Sequence, residues 1–251
     1  MKEKIIEFIY PENSKNLFED VFPIPAKLNI PDWFKKLEHK REYRTIKGCM
    51  PFLDTLTAGY ILKLSQDFYF KYNFINKDNQ KESEFAVGWH TYERSVLDIK
   101  GMNVNAGDPQ YHPKGQLGED CPFHKKNKDQ SYFKILNPFV IKTPPGYSCL
   151  FVPILNNNDD RFQIIPGIVD TDTFDLPVNF PIIINGDRYP NLETIVKKGT
   201  PYAQVIPFKR DDWKIKFSEG RRKNYFFSKL KICRQFLNNY KDTFWSKKKW
   251  N

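Results

Sequence analysis

Cysteine is scarce and scattered in this chain. Cys49, Cys121, Cys149 and Cys233 stand far apart in 251 residues, too sparse for a disulfide framework, so a reducing cytosol is the expected compartment. Long apolar runs are missing too. None approaches the roughly 18 residues that span a bilayer. The opening stretch MKEKIIEFIY has acidic residues in its first turn and no long apolar segment, so it does not read as a secretory leader. There is no P-loop, no G-x-G-x-x-G and no G-x-S-x-G, and the residues name no cofactor. No internal repeat recurs at the ~20–50 residue spacing of solenoids and propellers.

What the chain does have is aromatic mass. Phe, Trp and Tyr make up 16% of the residues and hydrophobic residues 40%, enough to fill a core, which argues against general disorder. The length suits one large domain or one domain with appendages. Lys, Asn, Ile, Phe and Tyr are abundant, a composition typical of AT-rich genomes such as those of many phages.

Charge divides the chain. The net charge is +10, and residues 209–251 carry 14 Lys and Arg against four Asp and Glu, so this segment holds the whole excess. The remaining residues balance. Three regions follow. Residues 1–50 form an extended and helical lead-in, with a short helix starting at Asp32 after Pro31. Residues 51–208 form a β-rich core with a long loop at 101–130. Residues 209–251 form a basic helical tail.

Within the core, ILKLSQDFYFKYNF alternates as a strand does, and NKDNQKES (76–83) reads as a polar turn. The runs FVIKT, YSCLFVPIL, RFQIIPGIV, FPIIIN, ETIVKKG and AQVIPF recur about every ten residues between Pro, Gly, Asn and Asp turns, and no helix-length periodic window interrupts them. This spacing predicts a mainly β fold, an antiparallel sandwich or barrel. In the tail, Phe226, Leu230, Cys233, Leu237, Tyr240 and Phe244 step by fours and threes. That stripe predicts one amphipathic helix over 224–247.

Candidate chemistry is thin. Cys121 and His124 have half of a zinc spacing, with His90 and His112 upstream, whereas a structural zinc site takes four ligands, usually as two close pairs. The facial triad of non-haem iron enzymes is not evident around His90 and His112. These residues are either metal ligands or ordinary loop hydrogen-bonders. Ser148 has no His close in sequence to activate it, and Cys149 falls in a core strand, where thiols are usually inert. The tail interleaves cations, among them Arg221, Arg222 and Lys223, with Trp213, Phe217, Tyr225, Phe226, Trp245 and Trp250. That mixture suits nucleic-acid binding by backbone neutralisation and stacking. It equally suits a helix that docks its apolar stripe on the body, and the concentration of aromatics on the stripe favours docking.

Six motifs, IPAKLNIPDWFKKL, TIKGCMPFLDTLTAGYIL, YHPKGQ, NPFVIKTPPGYSCLF, GIVDTDTF and KKGTPYAQVIPFKRDDW, resemble an uncharacterised domain family found in phages and bacteria. That resemblance implies a phage or bacterial source and no assigned activity. TPPGYSCLFVPILNN, FQIIPGIVDTD and ETIVKKGTPYAQVI also resemble the core of the dUTPase and dCTP-deaminase superfamily, a β-clip fold that is usually trimeric. This second resemblance makes Asp170, Asp172, Phe174, Gln204 and Tyr147 the candidate ligand-binding residues. It also shows what is lost. The water-activating aspartate falls at Ile61 and the ring-stacking tyrosine at Thr173. The phosphate motif falls near Pro153, Ile154 and Leu155, and a basic helix replaces the Gly-rich closing arm. The expected function is therefore binding or assembly on a scaffold stripped of catalytic motifs. The expected state is a homo-oligomer, a trimer if dUTPase-like, with a phage or host protein as a further partner and no membrane. It would act in the cytoplasm, the host's for a phage protein, or in the virion. Two alternatives stand: a metal-dependent enzyme built on residues 90–124, and a nucleic-acid binder acting through the tail.

Overall fold

A computed structural model describes residues 4–75, 86–89, 111–112, 114–118, 120–220, 222–233 and 238–251. The fold is mainly β, and every strand pairing in it is antiparallel. The largest sheet has five strands in the order β11 (Gly167–Val169), β9 (Tyr147–Val152), β14 (Pro201–Lys209), β3 (Tyr60–Lys63) and β2 (Ile24–Pro25). A second sheet runs β10 (Phe162–Ile164), β12 (Phe180–Ile184), β7 (Tyr132–Ile135), β6 (Tyr111–His112). A third runs β13 (Asn191–Val196), β4 (Phe68–Asn73), β5 (Ala86–Trp89). A two-stranded ribbon joins β1 (Glu7–Ile9) to β8 (Val140–Lys142). Among the described residues no sheet closes on itself, which corrects the barrel alternative: the sheets remain open and share a core instead.

That core follows from the alternation of the strands. In β4 the buried positions are Phe68, Phe70 and Tyr72, every second residue, as the two-residue period of a strand requires. Phe133, Ile135, Ile164, Phe180 and Ile182 enter from the second sheet, and Leu62, Cys149, Phe151, Ala203 and Val205 from the first. In β12, Ile182, Ile183 and Ile184 are all buried, so both faces of that strand are covered.

All six apolar runs read from the sequence contain strands, β8 to β14. ILKLSQDFYFKYNF is not one strand but two. It breaks between β3 and β4, where the Leu64 N–H bonds to the Thr200 carbonyl and the Gly199 N–H bonds to the Leu64 carbonyl. The lead-in residues are knit into the sheets through β1 and β2. They also hold α1 (Lys15–Phe18) and α2 (Asp32–Lys36), the latter starting at Asp32 with Lys35 bonded back to it. Within 101–130, the described residues include a helical turn at Lys114–Leu117 and α4 (Pro122–Lys126), so that region is not wholly loop. The NKDNQKES turn lies outside the described residues.

One joint depends on a glycine. α3 (Met50–Thr57) runs into β3 through Gly59 at φ +67, a left-handed backbone that side chains disfavour. A Cβ there would lie 1.9 Å from the Val205 carbonyl oxygen of β14. The tail departs most from expectation. The single helix over 224–247 is two, α5 (Arg222–Cys233) and α6 (Asn239–Thr243), with Asn238 at φ 68 ahead of the second. The described members of its apolar stripe are not docked: Phe226, Leu230, Tyr240 and Phe244 are all exposed.

Candidate functional site

The turn that follows β11 holds the two aspartates. The Thr173 and Phe174 N–H groups donate to the Asp170 carbonyl, which turns the chain. Strand pairing then decides what the side chains meet. β9 lies between β11 and β14, and Lys209 is registered with Tyr147, so Arg210 emerges beside the start of β9. Its guanidinium donates to the Asp172 carboxylate in a two-nitrogen clamp, to Ser148 Oγ at 3.0 Å and to the Tyr147 carbonyl at 3.0 Å. It also approaches Asp170 Oδ1 at 3.2 Å. Ser148 Oγ in turn donates to Asp170 Oδ1 at 2.6 Å. The Gly146 N–H donates to Asp172 Oδ2 at 2.8 Å.

The electrostatics follow from those contacts. Arg210 first, and the Gly146 N–H second, stabilise the ionised Asp172 carboxylate and pull its pKa down to about 2. The Asp172 side chain is only 5% exposed, whereas Asp170 is 61% exposed. Below the turn, Thr171 Oγ1 shares a 2.7 Å hydrogen bond with Thr143 Oγ1 and donates to Cys149 Sγ. Burial pushes the Cys149 thiol up to about 11, so it remains a protonated packing group.

The structure therefore gathers Tyr147, Asp170 and Asp172 at one corner, where Arg210 takes the Tyr147 carbonyl, clamps the enclosed Asp172 and pairs with the more exposed Asp170. The sequence reading missed Arg210, the residue that organises this corner. Only the register of β14 on β9 reveals it, and no local pattern in PFKRDD signals it. Gln204 lies elsewhere, fully enclosed between β14 and the end of α3. Its Nε2 donates to the Ala58 carbonyl at 2.6 Å and the Thr55 carbonyl at 2.9 Å, and its Oε1 accepts from the Leu155 N–H at 3.2 Å. Phe174 is partly exposed beyond the turn.

Of the metal candidates, His124 is buried in α4. Its Nδ1 is 3.0 Å from the Tyr132 hydroxyl, and its Nε2 has no partner among the described residues. Cys121 sits at the N-cap of α4. His112 pairs by backbone with Tyr132, and nothing is described of its side chain. His90 and Arg221 lie outside the described residues, as do the side chains of Arg222 and Lys223. Among the described residues no three His, Cys, Asp or Glu side chains gather as a metal site would need.

A cleft of about 140 Å³ opens between residues 153–160, β10 and the start of β14, lined by Asn156, Asn157, Asp159, Asp160, Phe162 and Tyr202 among others. Its acids are neutralised by their neighbours. Arg161 bonds both Asp159 oxygens, at 2.9 and 2.7 Å. Asp160 accepts from Arg188 and from the Tyr189 hydroxyl, each at 2.8 Å.

No family model and no curated protein matches the chain. The site has to be judged by its chemistry alone.

The tail exposes most of its described apolar side chains. After Arg210, residues 211–220 form no helix or strand, and every side chain among them is exposed. Trp213, Ile215 and Phe217 are 91%, 86% and 87% exposed. Tyr225, Phe226, Phe227, Leu230 and Ile232 of α5 follow them into solvent. The chain then returns to the body. Trp245 Nε1 donates to both Asp54 oxygens, at 3.1 and 3.0 Å, and Lys248 Nζ donates to Asp54 at 2.7 Å. Trp250 packs edge-on against Tyr60, whose hydroxyl donates to the Asn251 carbonyl. No helix among the described residues is long and apolar enough to cross a membrane.

Proposed function

We propose that this protein works by binding and self-assembly, not by catalysis, and that residues 211–244 are its contact element. The observation that carries this reading is the tail's exposed apolar surface. Eight large hydrophobic side chains, from Trp213 to Ile232, face water. Contiguous apolar patches of that kind are rare on monomeric proteins and mark interaction sites. The occupied aspartate corner supports the same reading. A carboxylate clamped by Arg210 and Gly146 lacks the raised basicity that a general base needs near neutral pH. A β-clip-like body of phage origin fits as well, since the segments resembling the dUTPase core include the adjacent strands β11, β9 and β14.

A nucleic-acid reading has its own support, because exposed aromatics beside Lys214, Lys216, Lys229 and Lys231 suit stacking on a single strand. Sedimentation of the full chain, alone and with a single-stranded DNA oligonucleotide, separates the two. Assembly predicts a mass above the monomer without DNA, reduced to the monomer by Phe226→Ser with Phe227→Ser. A monomer that binds the oligonucleotide with affinity falling steeply with salt overturns assembly in favour of nucleic acid.

A further inference from the structure

The sequence W-K-I-K-F, residues 213–217, alternates as a β-strand does. Trp213, Ile215 and Phe217 fall on one face, and Lys214 and Lys216 on the other. Yet it pairs with no strand among the described residues, and a lone extended segment has no stability of its own in water. Among the described residues the five-stranded sheet meanwhile ends at β11, where Ile168 is 63% exposed. Ile168, Phe174 and Leu176 place three exposed apolar side chains within nine residues of the body. Exposed carboxylates at Asp170 and Asp175 flank them.

We propose that residues 213–217 of one copy add as a strand to the β11 edge of a second copy. This deepens the assembly reading and rests on it. Three facts choose a second copy over other occupants.

The first is reach. β14, from which the segment emerges, is separated from its own β11 by β9. The open slot beyond β11 is thus three strand spacings away, about 14 Å. From Arg210 to Trp213 the chain can extend only about 10 Å, so Trp213 cannot lie in that slot and the whole of 213–217 cannot pair with its own edge.

The second is complementarity. Trp213, Ile215 and Phe217 offer apolar surface to Ile168, Phe174 and Leu176, and Lys214 and Lys216 meet a turn whose Asp170 and Asp175, although already paired with Arg210 and Lys142, stay 61% and 81% exposed. Backbone pairing to an open edge is an established mode of segment recognition. The third is area. Aromatic side chains bury roughly 150–250 Å² each, so one arm on one edge covers on the order of 800 Å² counting both sides. Two reciprocal contacts then approach the ~1,600 Å² of a standard stable interface.

The test is light scattering on the full chain and three single variants. Ile215→Asp alters the donor segment, Ile168→Asp alters the acceptor edge, and Leu28→Asp, at a residue also exposed but at the far side of the sheet near β2, is the control. All three side chains face water within one chain, so circular dichroism should show equal folding. Ile215→Asp and Ile168→Asp should each weaken association at least tenfold, with Leu28→Asp unchanged. An assembly that survives Ile168→Asp overturns edge addition and leaves tail-mediated assembly standing. One that survives Ile215→Asp also overturns it. A wild-type chain that stays monomeric at all concentrations overturns both.

Discussion

Replacing Gln204 by Leu tests whether this buried amide is a clamp of the fold or a ligand-binding group. Leu has a similar volume, so the substitution leaves little cavity, and the loss comes from polar groups left without partners. Those groups are the Leu155 N–H and the Thr55 and Ala58 carbonyls. Gln204 itself is only 1% exposed, so water has poor access to take its place. Each stranded group costs about 1–3 kcal/mol, so the three together should cost about 3–9 kcal/mol. With a urea slope of roughly 2–3 kcal/mol per molar for a chain of this size, the unfolding midpoint should fall by at least about 1 M. Tryptophan fluorescence and circular dichroism should be followed together, because coincident transitions justify a two-state treatment. Gln204→Glu should be worse than Leu: it removes both donors and buries a charge. A midpoint within about 0.3 M of wild type for Gln204→Leu would refute the reasoning and make the amide free for some other task.

Gly59→Ala should destabilise by more than about 4 kcal/mol, the range reserved for severe backbone and core lesions. The new Cβ meets the Val205 backbone oxygen at 1.9 Å in a left-handed conformation, and soluble yield with the thermal midpoint reads the effect. The pH dependence of stability follows from Asp172. Its folded pKa, about 2, lies below the unfolded carboxyl value of about 3.9. The group's contribution is therefore complete above pH ~4 and is lost as pH falls through about 2. Denaturation between pH 5 and 2 should show this loss in wild type, and Asp172→Asn should flatten that part of the profile.

How far the sequence disclosed this molecule depended on the range of the interaction. The strands β8 to β14 were legible because turn residues and alternating apolar positions are local signals, and α2 was legible from Pro31 and Asp32. The arrangement of open sheets was not, since register and neighbour order arise from contacts far apart in the chain. Arg210 stayed hidden for the same reason: it meets Asp172 only because β14 lies on β9. The stripe from Phe226 to Phe244 misled in an instructive way. Periodicity reports that a helix has an apolar face, but it does not say what covers that face. Here Asn238 stands in a left-handed backbone ahead of α6, and Phe226, Leu230, Tyr240 and Phe244 stay exposed. The sequence set Asp170 and Asp172 one residue apart, and the structure places both against Arg210, which no local pattern pointed to.

That corner bears directly on the tail. Arg210 is both the clamp of Asp172 and the last residue before the exposed segment, so the ion pair fixes the point from which the tail leaves the sheet. At the other end, Trp245 and Lys248 fix the return on Asp54. A tail with one free end would sample a wide volume and pay most of its ordering entropy on binding. Holding both ends removes part of that cost beforehand, and lengthening such a loop adds only ~0.6 kcal/mol per doubling. In the proposed assembly the acidic turn would set the direction of W-K-I-K-F where the chain leaves β14, and the short reach from Arg210 keeps Trp213 out of the slot beyond its own β11. In that same assembly, a body with balanced charge and a tail that holds the entire excess of +10 would offer the next copy both an apolar face and cations at its β11 edge.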